Sequence, residues 1–254
     1  MTKGILMTTP PPAELLSWDS EFFGRRIARA KGDPLSPESL SALRAWCREQ
    51  AVECLYLLVD PGDRETLALL RPPLFTLVDL RLTFERAIPA DVPPATERTA
   101  RGWREEDLPA LRRIASRSYT DSRFYFDGHF PAALCDRFYA TWIEHSCRGY
   151  ADVVLVAEDD DGQPIGFVTG HLHERSGLIG LVGVAEAARG RGVGRQIVQE
   201  ALAWFAERGC ERVSVVTQGR NIAAQRLYQR CGFLTESLRL WYHGWFDAPE
   251  SAGV

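Results

Sequence analysis

Residues 189–194 read RGRGVG, and with Arg195 they set three glycines and three arginines between an apolar run, LIGLVGV at 178–184, and an amphipathic stretch. Val193, Ile197, Val198, Ala201, Leu202 and Phe205 recur in that stretch at the spacing of one helix face. A strand that enters a helix through such a turn narrows what the chain can fold into. The first N–H groups of a helix lack intrahelical partners, the helix dipole favours negative charge there, and glycine lets a ligand reach the backbone. The segment reads as an anion cradle in an α/β domain. A P-loop requires Gly-Lys-Ser/Thr, whereas Gly194 is followed by Arg195 and Gln196. A dinucleotide fingerprint requires G-x-G-x-x-G in a parallel unit, and this is G-x-G-x-G. A bare tight turn is the remaining alternative.

The flanking periodicities predict strands at 153–157, 164–173 and 178–184, a helix from 193 closed by Gly209, a strand at 213–217, a helix at 221–230 stopped at Gly232, and a strand at 233–242. The order β-β-β-α-β-α-β gives an α/β fold with a mixed central sheet flanked by helices. The acidic run EDDDG at 158–162 lies between two strands and reads as a solvated hairpin tip rather than a metal site. Upstream, 109–118 and 131–147 read as two helices joined by an aromatic loop, SYTDSRFYFDGHF at 118–130. The proline-rich segment 88–95 reads as a linker, dividing the chain into domains 1–95 and 96–254.

The first of these domains contains an echo of the second. A shift of 158 positions lays AWCREQAVECLYLLV (45–59) over AWFAERGCERVSVVT (203–217). Without a gap, Leu69 then falls on Leu227, Phe75 on Phe233, Leu80 on Leu238 and Leu82 on Leu240. The pattern predicts an internal α-β-α-β repeat, which chance periodicity can also mimic in part. At the place of RGRGVG the first copy has KGDPLS, so only the second copy carries the cradle.

A net charge of −4 provides no basic field, which argues against nucleic acid as a partner. No apolar stretch is long enough to span a membrane, and residues 1–16 lack the pattern of a secretory leader, so a cytoplasmic protein is expected. Six scattered cysteines without a CxxC pair read as buried thiols, with a disulfide framework or zinc site the lesser alternative. His171 and His173 share a strand face, a metal pair or simply a solvated edge. No metal is assigned.

Arg189-x-x-Gly192-x-Gly194 after a strand ending in valine, together with this element order, resembles the GCN5-related N-acetyltransferases over about 99–243. The resemblance implies acetyl-CoA as cosubstrate, its pyrophosphate held by Arg189, Gly190, Arg191, Gly192, Val193, Gly194 and Arg195. It further implies that the backbone of Val182 and Val184 pairs with the pantetheine arm and that Asn221 contacts it, a role compatible with a plain helix cap. Tyr228, seven residues after Asn221 and on the same helix face, would be the general acid that protonates the leaving thiolate; a core tyrosine is the alternative. The preceding domain would be a smaller, truncated copy of the same fold.

The stretches 16–29, 121–149 and 216–233 resemble members of that family that acetylate a nucleotide-linked amino-deoxysugar of the TDP-4-amino-4,6-dideoxyhexose type. This implies a small-molecule amine acceptor, a homodimer, and Asp79 as the acidic residue near the amine. From the residues alone, Asp79 could equally be a strand charge facing solvent. Tyr119, Phe124, Tyr125 and Phe126 offer flat faces for a base or sugar ring, and Arg123 a diphosphate contact, unless they only pack the loop. Another small amine as acceptor, or a non-catalytic acyl-CoA sensor, are the competing functions.

Overall fold

The computed structural model describes residues 11–32, 34–89 and 99–246. In chain order the first elements are β1 (Ala13–Leu15), α1 (Ser17–Phe23), β2 (Ile27–Ala30), α2 (Pro37–Glu49), β3 (Cys54–Val59), α3 (Arg64–Leu69) and β4 (Phe75–Ala87). There follow β5 (Arg101–Gly102), α4 (Leu108–Ala115), α5 (Arg123–Asp127), α6 (Ala132–His145), β6 (Val153–Glu158), β7 (Pro164–His173) and β8 (Ser176–Val184). The chain closes with α7 (Val193–Ala206), β9 (Arg212–Gln218), α8 (Ile222–Arg230) and β10 (Leu234–Trp245). The described residues form two compact units, one within 79–238 and the other within 11–78 and 239–246.

In the smaller unit the strands run β1-β2-β3-β10, with β2 and β3 parallel and β10 antiparallel to β3 from Leu240↔Val59 to Trp245↔Cys54. Helix α2 begins at a reciprocal cap, where Ser36 accepts from the Ser39 amide and Pro37 occupies the first turn. Its buried Leu40, Leu43 and Cys47 meet Ala28, Leu55, Leu57 and Phe75 in one core.

In the larger unit the order is β4-β9-β8-β7-β6-β5, mixed because β8 and β9 run parallel while the other pairs are antiparallel. One face packs Ile197, Val198, Ala201, Leu202 and Phe205 of α7 against Leu155, Val168, Ile179, Val213 and Val215. Helices α4 and α6 pack against each other, and α4 lies over β7 and β8. Glycines make these approaches possible. A Cβ on Gly177 would stand 2.5 Å from Cδ1 of Phe205, and one on Gly183 would stand 2.5 Å from Phe167 and 3.1 Å from Ile114. The missing methyl groups are the seats of those side chains.

Adding 158 to the bounds of β3, α3 and β4 gives 212–217, 222–227 and 233–245, against 212–218, 222–230 and 234–245 for β9, α8 and β10. The two halves therefore share element order and spacing. Their closing strands are exchanged. β4 continues to pair with β9 from Arg81↔Gln218 to Ala87↔Arg212, while the end of β10 pairs with β3. The compact units thus differ from the contiguous division 1–95 and 96–254, and the linker expected at 88–95 falls mostly in 90–98, outside the described residues. Residues 1–10, on which the leader reading partly rests, also lie outside them. One local expectation changes. The stretch 118–130 is not wholly loop, because Arg123–Asp127 closes a short helix ended by Gly128 at φ +84°.

Candidate active site

The glycine turn enters α7 without any capping side chain. Gly190 and Gly192 adopt φ of +77° and +87°, the left-handed region, and Gly192 stands at the N-cap. The first intrahelical amide bond there is Gln196 N–H to the Gly192 carbonyl at 3.1 Å. The amides of Val193, Gly194 and Arg195 precede it and point out of the helix end without intrahelical partners, the arrangement that favours an anion. Arg191 and Arg195 are exposed beside them. Arg189 is used differently. Its guanidinium donates to the carbonyls of Val184 at 3.3 Å and Arg117 at 3.2 Å, tying the end of β8 to the segment that leaves α4.

Between β8 and β9 the sheet opens. Their ladder runs only from Ser176↔Arg212 to Ile179↔Val215. A bulge on the other edge of β8 sets Gly180 and Leu181 opposite Thr169, whose hydroxyl accepts from the Leu181 amide at 2.8 Å. Beyond the bulge, Ala185 donates to the Ile165 carbonyl at 2.8 Å, which fixes the alternation of the antiparallel ladder. The N–H and C=O groups of Val182 and Val184 therefore face away from β7, into the opening. This is a backbone slot that ends at the anion cradle.

Tyr228 lies on α8 and is almost wholly buried, its ring 6.0 Å from both Phe84 and Phe233. Burial pushes its phenol well above the ordinary tyrosine value, with Cys231 adding to the effect, so it remains a proton donor throughout the neutral range. Asn221 caps α8 by accepting from the Ala224 amide at 2.9 Å. Tyr119 stacks on Tyr139 with centroids 4.3 Å apart, and Tyr139 stacks in turn on Trp142.

Asp79 is 4% exposed and does not face solvent. Its carboxylate accepts from the Leu80 amide at 2.8 Å and meets the Arg220 guanidinium at 3.5 Å. Gly219 makes the place, since a Cβ there would stand 2.6 Å from that of Leu80. Burial raises the Asp79 carboxyl to about 6, while Arg220, the Leu80 amide, Arg123 and the Gly219 amide pull it down.

The aromatic segment divides on inspection. Phe124 is 2% exposed and packed among Phe130, Phe138 and the Arg123 guanidinium, so it offers no face to an acceptor. Tyr125 is held by Asp136 at 2.5 Å. Phe126 is exposed and carries the Arg220 guanidinium over its ring at 3.7 Å. Arg220 was not among the residues expected from the sequence, and nothing in local spacing links it to position 79. All six cysteines are buried, and no group of metal-binding side chains occurs among the described residues. The hairpin tip is a backbone turn, with Asp159 accepting from the amides of Asp161 and Gln163. No helix among the described residues is long and apolar enough to cross a membrane.

The comparisons with known proteins show which family the chain belongs to. Residues 108–233 match the Acetyltransferase (GNAT) family, and solved members share the fold. One from Sphaerobacter thermophilus superposes with a TM-score of 0.67 at 18% identity, covering 92% of this chain and 76% of that one. The chain belongs to the GNAT family and is an acyl-CoA-dependent N-acetyltransferase of the kind that uses acetyl-CoA. It is similar over most of its length to dTDP-fucosamine acetyltransferase of Escherichia coli O6:H1, with 33% identity over 91% of this chain and 96% of that protein. It is also 30% identical to a mycothiol acetyltransferase of Salinispora arenicola, over 86% of this chain and 67% of that protein. A spore coat polysaccharide biosynthesis protein of Bacillus subtilis is 27% identical over 55% of this chain and 48% of its own length.

Proposed function

We propose that the enzyme transfers an acetyl group from acetyl-CoA to the amine of a nucleotide-linked amino-deoxysugar of the TDP-4-amino-4,6-dideoxyhexose type. The carrying observation is that a buried carboxylate, Asp79, stands in the unit that also holds the slot and Tyr228, within a chain similar over most of its length to dTDP-fucosamine acetyltransferase. In this reading the amides of 193–195, with Arg191 and Arg195, hold the pyrophosphate, and the backbone of Val182 and Val184 aligns the pantetheine arm. Asn221 borders that arm. Arg123 serves the acceptor's diphosphate. The smaller unit is a truncated copy of the same fold without an anion cradle.

The chemistry follows from these positions. The acceptor ammonium gives up its proton toward Asp79, whose carboxyl near 6 is ionised at neutral pH yet basic enough to take part. The freed nitrogen lone pair forms the N–C bond, and the carbonyl π pair moves to oxygen, facing the strand-end amides. Collapse breaks the C–S bond, the departing thiolate takes its proton from the Tyr228 hydroxyl, and the second proton shed by the nitrogen as the amide forms restores the phenol. Direct attack requires no acyl-enzyme.

Incubation with acetyl-CoA and a panel of TDP-, UDP- and nucleotide-free amino sugars, read by product mass, tests the assignment. Acetylation of the TDP-4-amino-4,6-dideoxyhexoses with kcat/KM at least tenfold above the rest is expected. Preference for a nucleotide-free amine would replace the acceptor and keep the acetyl transfer.

A further inference from the structure

Arg220 is the residue that the family reading leaves without a task, and its surroundings assign one. It follows Gly219 in the turn between β9 and α8 and is 31% exposed at the side chain. Its guanidinium is held from several sides. The Asp79 carboxylate lies at 3.5 Å, the Asp121 carbonyl accepts from the same nitrogen at 3.5 Å, and the Phe126 ring lies beneath at 3.7 Å. Phe126 is 55% exposed, so its ring is spent on the arginine and not on a core. A flat cation on an aromatic face keeps a fixed plane at little entropic cost.

Asp79 is otherwise in an unfavourable place for a charge. The charged and titratable groups that act on it most come from three elements: Arg220 from the β9–α8 turn, Arg123 from α5, and Tyr139 from α6, with the Leu80 and Gly219 amides from the backbone. Arg220 is the one of these whose charge is in ion-pair contact. We propose that Arg220 is a positioning residue of the acceptor half of the site: seated on Phe126, it keeps the buried Asp79 carboxylate ionised and oriented for the incoming ammonium. This rests on Asp79 being the base. The 3.5 Å separation leaves the carboxylate in charge contact with Arg220 without a close bidentate pair, so its second oxygen is the one an acceptor ammonium would approach.

The consequence is a shift in pH dependence. An opposite charge at this distance lowers a carboxyl by roughly 1–3 units, and the partial exposure of Arg220 puts the effect near the lower end. Arg220→Gln should therefore move the acidic limb of kcat/KM from near pH 6 up by about one unit. Relative to wild type, the variant should lose about fivefold at pH 6 and almost nothing by pH 8.5. Taking the ratio at each pH cancels titration of the acceptor amine. Arg220→Lys, which keeps the charge, should restore the limb to within about 0.3 unit, and a merely structural arginine would not show that rescue.

The controls separate the two ideas. If Asp79→Asn abolishes the acidic limb but Arg220→Gln leaves it at the wild-type position, the role of Arg220 is overturned and Asp79 remains the base. If Asp79→Asn keeps the limb, the base assignment fails and the proposal falls with it. A uniform rate loss at all pH values in Arg220→Gln, unrelieved by lysine, also overturns it.

Discussion

Replacing Asp79 by asparagine should make the protein more stable, and increasingly so as pH rises. The carboxyl has an ordinary value of 3.8 and rises to about 6 when folded, mainly because burial disfavours its charge. A raised folded value means the folded state binds the proton more tightly. That contribution is fully present below 3.8 and is lost as pH climbs through 6, so the ionised side chain burdens the fold at neutral pH. Taking both values at face, the burden grows from about 1.6 kcal/mol at pH 5 to about 3 kcal/mol at pH 8. Asparagine is isosteric and never charged, and its oxygen can still accept from the Leu80 amide. Whatever fixed cost follows from repartnering Arg220 is independent of pH, so the slope is the diagnostic. Urea unfolding at pH 5, 6, 7 and 8 should show the stability of Asp79→Asn relative to wild type increasing by about 1.4 kcal/mol across the series. A flat or falling difference would refute the claim that Asp79 is a buried charge held against its own solvation. The same variant should lose turnover at neutral pH while keeping acetyl-CoA affinity, a trade of stability for function at one atom.

Tyr228→Phe keeps the ring against Phe84 and Phe233 and removes only the proton; kcat should fall ~10²–10⁴-fold, with acetyl-CoA affinity by calorimetry changed less than about tenfold. Because the phenol is pushed far up, no alkaline limb from Tyr228 should appear in the wild-type profile below pH 10. At the cradle, side chains at Gly192 would be strained at φ +87°, so charge reversal at exposed Arg191 or Arg195 is the cleaner probe. Each should weaken acetyl-CoA binding ~10-fold or more, an effect that shrinks with added salt, without lowering Tm. Gly177→Ala drives a methyl group into Phe205 and should cost roughly 1–3 kcal/mol in unfolding experiments; an unchanged denaturation midpoint would show that Phe205 has room to move.

What could be read in advance was whatever is written in local spacing. The cradle at 189–195, its strand and helix, and the acidic turn were legible because glycine placement and apolar periodicity are properties of short windows. The shift of 158 was legible for the same reason, and the element bounds repeat it. The exchange of β4 and β10 was not, because two similar closing strands present the same alternation to either antiparallel neighbour. Phe124 and Phe126 look alike in FYF, yet two residues along a short helix separate a buried ring from an exposed one. Arg189 carries the signature of an anion ligand, but its long side chain reaches two carbonyls first. The pairing of Asp79 with Arg220 joins positions 141 residues apart, and only the sheet brings them together.

The parting of β8 from β9 also has a cost when nothing lies in it. Apart from the Val184 carbonyl, which Arg189 takes, it leaves backbone groups of a mid-sheet strand without a partner strand, the kind of edge by which chains add to one another and aggregate. In the proposed binding mode, a cosubstrate whose arm carries amides would cap that edge, acting for the duration of its stay as a missing strand. Any ligand that binds only the folded form stabilises it by mass action, ~2.7 kcal/mol at a hundredfold excess over Kd. Purification and storage in the presence of CoA should therefore slow precipitation more than the same concentration of free pyrophosphate, which fills the cradle and leaves the slot bare.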